Sequence, residues 1–214
     1  AQITLTADDK AKTYGTLDEE LTYEVTNGQV YAADDLNVIL TRQVGEEVGS
    51  YIITITAENN NYDITLKNGT YTITPKELTR NDLGNVSFES DSFIYDGTEK
   101  VIEVTGLPQG FKAVYDDNTR TTVGSQNVIA VITGNGNYTG EVTLTATLEV
   151  TKANPQVPLV DGLQGIKGNK VESVILPSGF TYINPDQILD TAGNITLDVI
   201  YTPSDTNNYN SVQS

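Results

Sequence analysis

The 214 residues contain no cysteine, histidine, tryptophan or methionine. Without cysteine there is no disulfide framework and no thiolate zinc site, and without histidine the Ser-His and Cys-His pairs of nucleophilic catalysis are gone as well. Positive charge is scarce: 12 Lys and Arg stand against 29 Asp and Glu, a net charge of −17. Acids scattered along the chain repel nucleic acid and anionic lipid, which excludes both as partners. No apolar run approaches the ~20 residues that cross a bilayer as a helix. The chain starts at Ala1, so it reads as part of a longer protein whose leader and anchor lie elsewhere.

What is present is a 37% apolar composition, rich in Val, Ile, Thr and Tyr, the residues that suit a pleated, half-buried surface. The fold class is therefore all-β. Only a turn around Ala32 to Leu36 has any helical character.

Laid over itself, the chain repeats. Val48-Gly49-Ser50-Tyr51 leads to Asn61-Tyr62, Val123-Gly124-Ser125 leads to Asn137-Tyr138, and Ala192-Gly193-Asn194 leads to Asn208-Tyr209. The tyrosines lie 76 and 71 residues apart, the length of a small domain. An earlier landmark comes as Tyr14-Gly15, Tyr95-Asp96-Gly97 and, less closely, Ile166-Lys167-Gly168, at 48, 43 and 43 residues before the matching tyrosine.

Four, six and eight residues after the glycines stand Ile53, Ile55 and Ala57, then Val128, Ala130 and Ile132, then Leu197, Val199 and Tyr201. That period of two places each trio on one face of a strand. Ile129 and Val131 fill the alternate positions of the second copy, so that strand is expected to be covered on both faces. Leu144, Ala146, Leu148 and Val150 alternate with threonine in a further half-buried strand. Lys67-Asn68-Gly69-Thr70 has the composition of a hairpin turn, and prolines at Pro75 and Pro155 end each run.

Together the Tyr-Gly landmark, the Tyr95-Asp96-Gly97-Thr98 run, the Val-Gly-Ser turns and the Asn-Tyr pairs resemble the MBG and YDG repeat domains of large bacterial surface proteins. Leu176-Pro177-Ser178-Gly179-Phe180 and the run from Tyr201 to Tyr209 resemble the closing repeat found beside them. The resemblance implies an exported, adhesin-like protein at the bacterial cell surface or wall, with no catalytic residues to carry over. Its structural signature here is Tyr14, Gly15, Gly49, Tyr62, Tyr95, Gly97, Gly124, Tyr138, Gly193 and Tyr209.

Each chemical reading has a plainer rival. Tyr62, Tyr138 and Tyr209 have faces that suit sugar rings, yet recurrence at one spacing fits a scaffold role resembling a tyrosine corner. Asp8-Asp9, Asp34-Asp35 and Asp116-Asp117-Asn118 lack the spacing of a calcium loop, which leaves a weak interdomain calcium ion as the sole cofactor in view. A glycosidase needs two carboxylates flanking a cleft, and small β-modules have little room for one. A Lys-Asn isopeptide bond needs a buried lysine, whereas Lys67, Lys100 and Lys152 sit by turns or ends.

The expectation is a non-enzymatic, elongated series of three small antiparallel β-sandwich modules of immunoglobulin-like kind, with β-grasp-like sheets as the alternative. The modules span 1–76 (MBG-like), 77–153 (YDG type) and 154–214, the last lacking its final strand. The chain spaces or supports a binding region, or else one module itself binds host mucin, glycan or matrix protein. It is expected to be a monomer unless a partner strand completes the third sheet.

Overall fold

Alternating threonine and aliphatic residues build short strands throughout the computed structural model, which describes residues 1–214. In chain order these are β1 (Gln2–Ala7), β2 (Lys10–Thr13), β3 (Tyr23–Asn27), β4 (Ile39–Arg42), β5 (Gly49–Thr56), β6 (Asp63–Lys67), β7 (Gly69–Thr74) and β8 (Lys76–Glu77). They continue as β9 (Asp91–Ile94), β10 (Lys112–Asp116), β11 (Gly124–Thr133), β12 (Tyr138–Thr139), β13 (Glu141–Thr151), β14 (Phe180–Tyr182), β15 (Val199–Tyr201) and β16 (Val212–Gln213). The helical content is two short 3-10 turns, Arg80–Leu83 and Val171–Ser173. Ala32 and Ala33 form only a turn, closed by the Asp34 N–H to Tyr31 O bond at 2.9 Å.

The chain divides into two units. The first comprises Ala1–Val86, Gly106–Val114 and Val131–Thr143. Here β3-β1-β6 and β2-β7-β5-β4 form two sheets, and β12 pairs with β8. Ile3, Leu5 and Ala7 from the first sheet meet Ile53, Ile55, Tyr71 and Ile73 from the second in one buried cluster. These are the alternate residues of β1, β5 and β7, as a period of two requires.

Strand direction corrects the expected antiparallel architecture. β1 pairs parallel with β6, β2 with β7, β8 with β12 and β9 with β13, while β1–β3, β4–β5 and β5–β7 are antiparallel. The sheets are mixed because the strand that opens a repeat lies beside the one that closes it, at the far end of a long connection. Parallel neighbours need such a connection.

The expected hairpin at Lys67–Thr70 is also corrected. The chain passes straight from β6 into β7 across the single residue Asn68, and alongside it β1 passes into β2 across Asp8-Asp9. The paired strands change sheet together. Gly69 serves this crossing by close approach, since a Cβ there would lie 2.6 Å from the Ala7 carbonyl oxygen. The Asp9 carboxylate accepts the Thr70 N–H at 2.7 Å, and the Asn68 amide oxygen accepts the Ile55 N–H at 3.4 Å.

The second unit comprises Ser87–Thr105, Tyr115–Ala130 and Leu144–Ser214. Ile102, Val128, Ala146 and Leu148 form its buried cluster, flanked by Phe88, Phe93 and Tyr115. β9 lies parallel to the second half of β13, Leu148 to Thr151. Ile129 does not have the covered second face expected of it: it is 37% exposed. In the third repeat β14-β15-β16 forms a small antiparallel sheet, and Val212–Gln213 supplies a short strand after Tyr209. No helix is long and apolar enough to cross a membrane.

Candidate functional site

Four of the recurring tyrosines meet in pairs, Tyr14 with Tyr138 in the first unit and Tyr95 with Tyr209 in the second. Within the first unit Tyr14 follows β2, and its N–H bonds the Thr74 carbonyl at 2.8 Å. Gly15, at φ 79°, turns the chain away immediately afterwards. That fixes the Tyr14 ring, whose centroid lies 5.5 Å from that of Tyr138 at 70° between planes. Phe111 packs on Tyr138 from another side at 5.3 Å and 62°. Such edge-to-face pairs place a positive ring edge on a negative ring face. Burial pushes the Tyr138 hydroxyl pKa up.

Beside the rings, buried Asn137 joins two segments. Its side-chain oxygen accepts the Val48 N–H at 2.9 Å, its side-chain nitrogen donates to Glu47 Oε2, and its carbonyl accepts the Lys76 N–H at 3.0 Å. Val48 begins the turn into β5, so this amide satisfies a backbone donor that would otherwise be left open.

The second unit repeats the arrangement with other residues. The Tyr95 N–H bonds the Thr151 carbonyl at 2.9 Å, and the Tyr95 ring meets Tyr209 at 5.3 Å and 86°. Asn208 Oδ1 accepts the Val123 N–H at 3.0 Å, and the Asn208 carbonyl accepts the Ala153 N–H at 3.1 Å. Asn208 Nδ2 turns instead to Asp205 Oδ2 at 2.9 Å, because the residue before Val123 is Thr122 where Glu47 stands before Val48.

An arginine supports each Val-Gly turn. In the first repeat Lys12, Arg42, Asp18 and Glu46 form a closed ring of ion pairs, Lys12 to Asp18 at 2.6 Å and to Glu46 at 2.5 Å, Arg42 to Asp18 at 2.7 Å and to Glu46 at 2.6 Å. Arg42 also bonds the Gly45 carbonyl at 2.6 Å and lies over the rings of Tyr51 and Tyr71. The Tyr51 hydroxyl donates to the Glu47 carbonyl at 2.7 Å. In the second repeat Arg120 donates to the Val123 carbonyl at 3.1 Å and to Gln126 at 2.9 Å. Its guanidinium occupies the space that a Cβ on Gly124 would take.

Lys12 is the buried lysine that the sequence reading did not find. Its neighbours are carboxylates and not asparagine. Hydrogen bonds to Asp18 and Glu46 raise the Lys12 pKa, and bonds to Lys12 lower those of both acids. The cluster is an ion-pair lock that ties β2 to β4.

The remaining signature residues are placed as follows. The Tyr62 hydroxyl donates to Asp34 at 2.6 Å and accepts the Tyr31 N–H at 3.1 Å, a loop-spanning role, and the bond to Asp34 raises its pKa. Gly49 opens β5 without a positive φ, while Gly97 and Gly193 have φ of 79° and 109°. Of the acidic pairs, Asp8 accepts from the Thr22 hydroxyl, Asp9 from the Thr70 N–H, Asp34 from the Tyr62 hydroxyl and Asp35 from the Asn37 N–H. Sequence reasoning took the tyrosines for the working part of each Asn-Tyr pair and passed over the asparagines. It also passed over Phe111, which a second Leu-Pro-x-Gly-Phe run, Leu107 to Phe111 beside Leu176 to Phe180, could have revealed.

Comparison with curated proteins gives no match. Residues 3–72, about a third of the chain, match the family model of the MBG domain (YGX type), a repeat module of surface proteins and not a known enzyme family; the first repeat is thus the kind of domain that Tyr14-Gly15 led us to expect.

Proposed function

We propose that this chain is a run of three non-catalytic modules, 1–76, 77–153 and 154–214, from an adhesin-like protein on the bacterial surface, acting as a monomeric spacer that projects or supports a binding region. Each module on this reading is a small two-sheet β unit of immunoglobulin-like kind. The supporting observation is the junction, in which the same ring contact and the same asparagine bond recur with different residues, Tyr14 to Tyr138 and Tyr95 to Tyr209. A joint held by both apolar and directional contacts resists bending, which a spacer requires and a loosely linked set of binding domains does not.

Small-angle scattering tests this. Beads in line give a radius of gyration of ~28 Å and one rounded body of this length ~17 Å, so a value near the lower figure rejects the spacer. Host mucin, glycan or matrix protein remains the competing partner, and specific retention on a mucin or glycan array would favour that role.

A further inference from the structure

Three Asn-Tyr loops occur in the chain, and two of them hold the Val-Gly turn of another repeat. The third does not. The first two loops fold alike and the third is one residue longer: Asn59 Oδ1 accepts the Asn61 N–H at 2.9 Å, Asn135 Oδ1 accepts the Asn137 N–H at 3.0 Å, and Asp205 Oδ1 accepts the N–H of Asn208, three residues on, at 3.2 Å. The following tyrosine closes the turn each time, with Tyr62, Tyr138 and Tyr209 N–H groups bonded to the carbonyls of Asn59, Asn135 and Asp205 at 3.1, 3.0 and 3.2 Å. The incoming strand is equivalent as well. The Ala1 nitrogen bonds the Asn61 carbonyl at 2.8 Å, as the Lys76 and Ala153 nitrogens bond those of Asn137 and Asn208. The Asp63 N–H returns to the Ala1 carbonyl at 2.8 Å, as the Asn210 N–H returns to that of Ala153 at 2.9 Å.

The side chain of Asn61 differs in its surroundings. It is exposed and its amide bonds no protein group, whereas the amides of Asn137 and Asn208 each accept a backbone N–H from a Val-Gly turn.

We propose that Asn61 and Tyr62 form an acceptor end, ready-folded to receive one more repeat of the same kind through its Tyr-Gly loop and Val-Gly turn. Asn61 Oδ1 takes the N–H of the incoming valine, and the half-buried ring of Tyr62 takes the ring of the incoming tyrosine. Because the loop already holds its docked conformation, little ordering opposes the contact. This inference rests on the modular reading above and adds to it a specific surface and its occupant.

The test is a longer chain in which a second copy of residues 1–75 precedes Ala1, so that Ala1 follows Pro75 as Lys76 does. Amide hydrogen exchange then reports on the Val48 N–H of the added copy. Docking protects it, and Asn61→Ala speeds its exchange about five- to ten-fold, as loss of one net hydrogen bond does, while the original Val48, seated on Asn137, is unaffected. In the unextended chain Asn61→Ala leaves the melting temperature unchanged. Equal exchange with and without Asn61, or an added copy that stays unfolded, overturns the proposal. The scattering and array results stand apart from this readout: glycan binding with a docked extra repeat sinks the spacer and leaves the acceptor end, and an undocked repeat beside an extended native chain does the reverse.

Discussion

Asn137 accepts the backbone N–H of Val48 across 89 residues of sequence, in a place where only 4% of Asn137 is exposed. The bond ties the start of β5 to the loop before β12, and Glu47 holds the other end of the same amide. An amide side chain is suited to this because it accepts from a backbone donor and donates to a carboxylate at once.

Replacing it exposes the asymmetry between making a hydrogen bond and abandoning its partners. Asn137→Ala leaves the Val48 N–H without an acceptor, and we expect a loss of about 1–3 kcal/mol in urea unfolding. Asn208→Ala, at a half-buried position where water can substitute, should cost about 0.5–1.5 kcal/mol. Equal costs at the two sites would mean that burial of the amide does not set its contribution.

The ring contact is open to a double-mutant cycle. Tyr138→Ala removes contacts with both Tyr14 and Phe111, and a loss of about 2–3 kcal/mol is expected for a half-buried aromatic. The coupling between Tyr14→Ala and Tyr138→Ala should come to about 0.5–1.5 kcal/mol. Additive single effects would show that the rings are neighbours without being partners.

Much of this was legible in the sequence. Ile53, Ile55, Val128, Ala130 and Ile132 are buried as their period of two required, because which face a side chain occupies depends on the backbone alone. Strand direction was not legible, since alternation looks the same whether the neighbour runs parallel or antiparallel. The composition of Asn68-Gly69 pointed to a turn because glycine serves turns and close approaches equally well. Lys12, Asp18, Arg42 and Glu46 share no spacing that marks them as a set, and folding alone brings them together.

Gly69 separates the two uses of glycine experimentally. Its backbone needs no left-handed conformation, but a Cβ would collide with the Ala7 carbonyl at the point where β1/β2 and β6/β7 change sheet. Gly69→Ala should therefore cost about 1–3 kcal/mol through displaced backbone. Gly15→Ala meets nothing within 4 Å and is disfavoured only by its φ of 79°, at about 1 kcal/mol. Thermal melts of the two variants that reverse this order would show that the crossing is looser than the geometry implies.

The ion-pair ring around Lys12 makes stability depend on pH in both directions. Hydrogen bonds to Lys12 lower the folded pKa values of Asp18 and Glu46, so their contribution is complete above the ordinary carboxylate range, about pH 4, and is lost as the pH falls through the lowered values. Lys12 is shifted the other way. Its contribution is complete below the ordinary lysine value of about 10.4 and is lost as the pH rises through the raised one. Between these limits the ring is intact, and Glu46 within it adjoins Glu47 and Val48 of the junction. Asp18→Asn removes one of the acids, so the variant should be less stable than the parent at pH 7, and the gap should narrow as the pH falls from about 4 through the lowered Asp18 pKa. Paired urea titrations at pH 3, 5 and 7 give that difference directly, with the other 28 acids common to both chains and cancelling. A gap that fails to narrow even where the parent's carboxylates have taken up their protons would place the effect of Asp18 in packing and not in its charge.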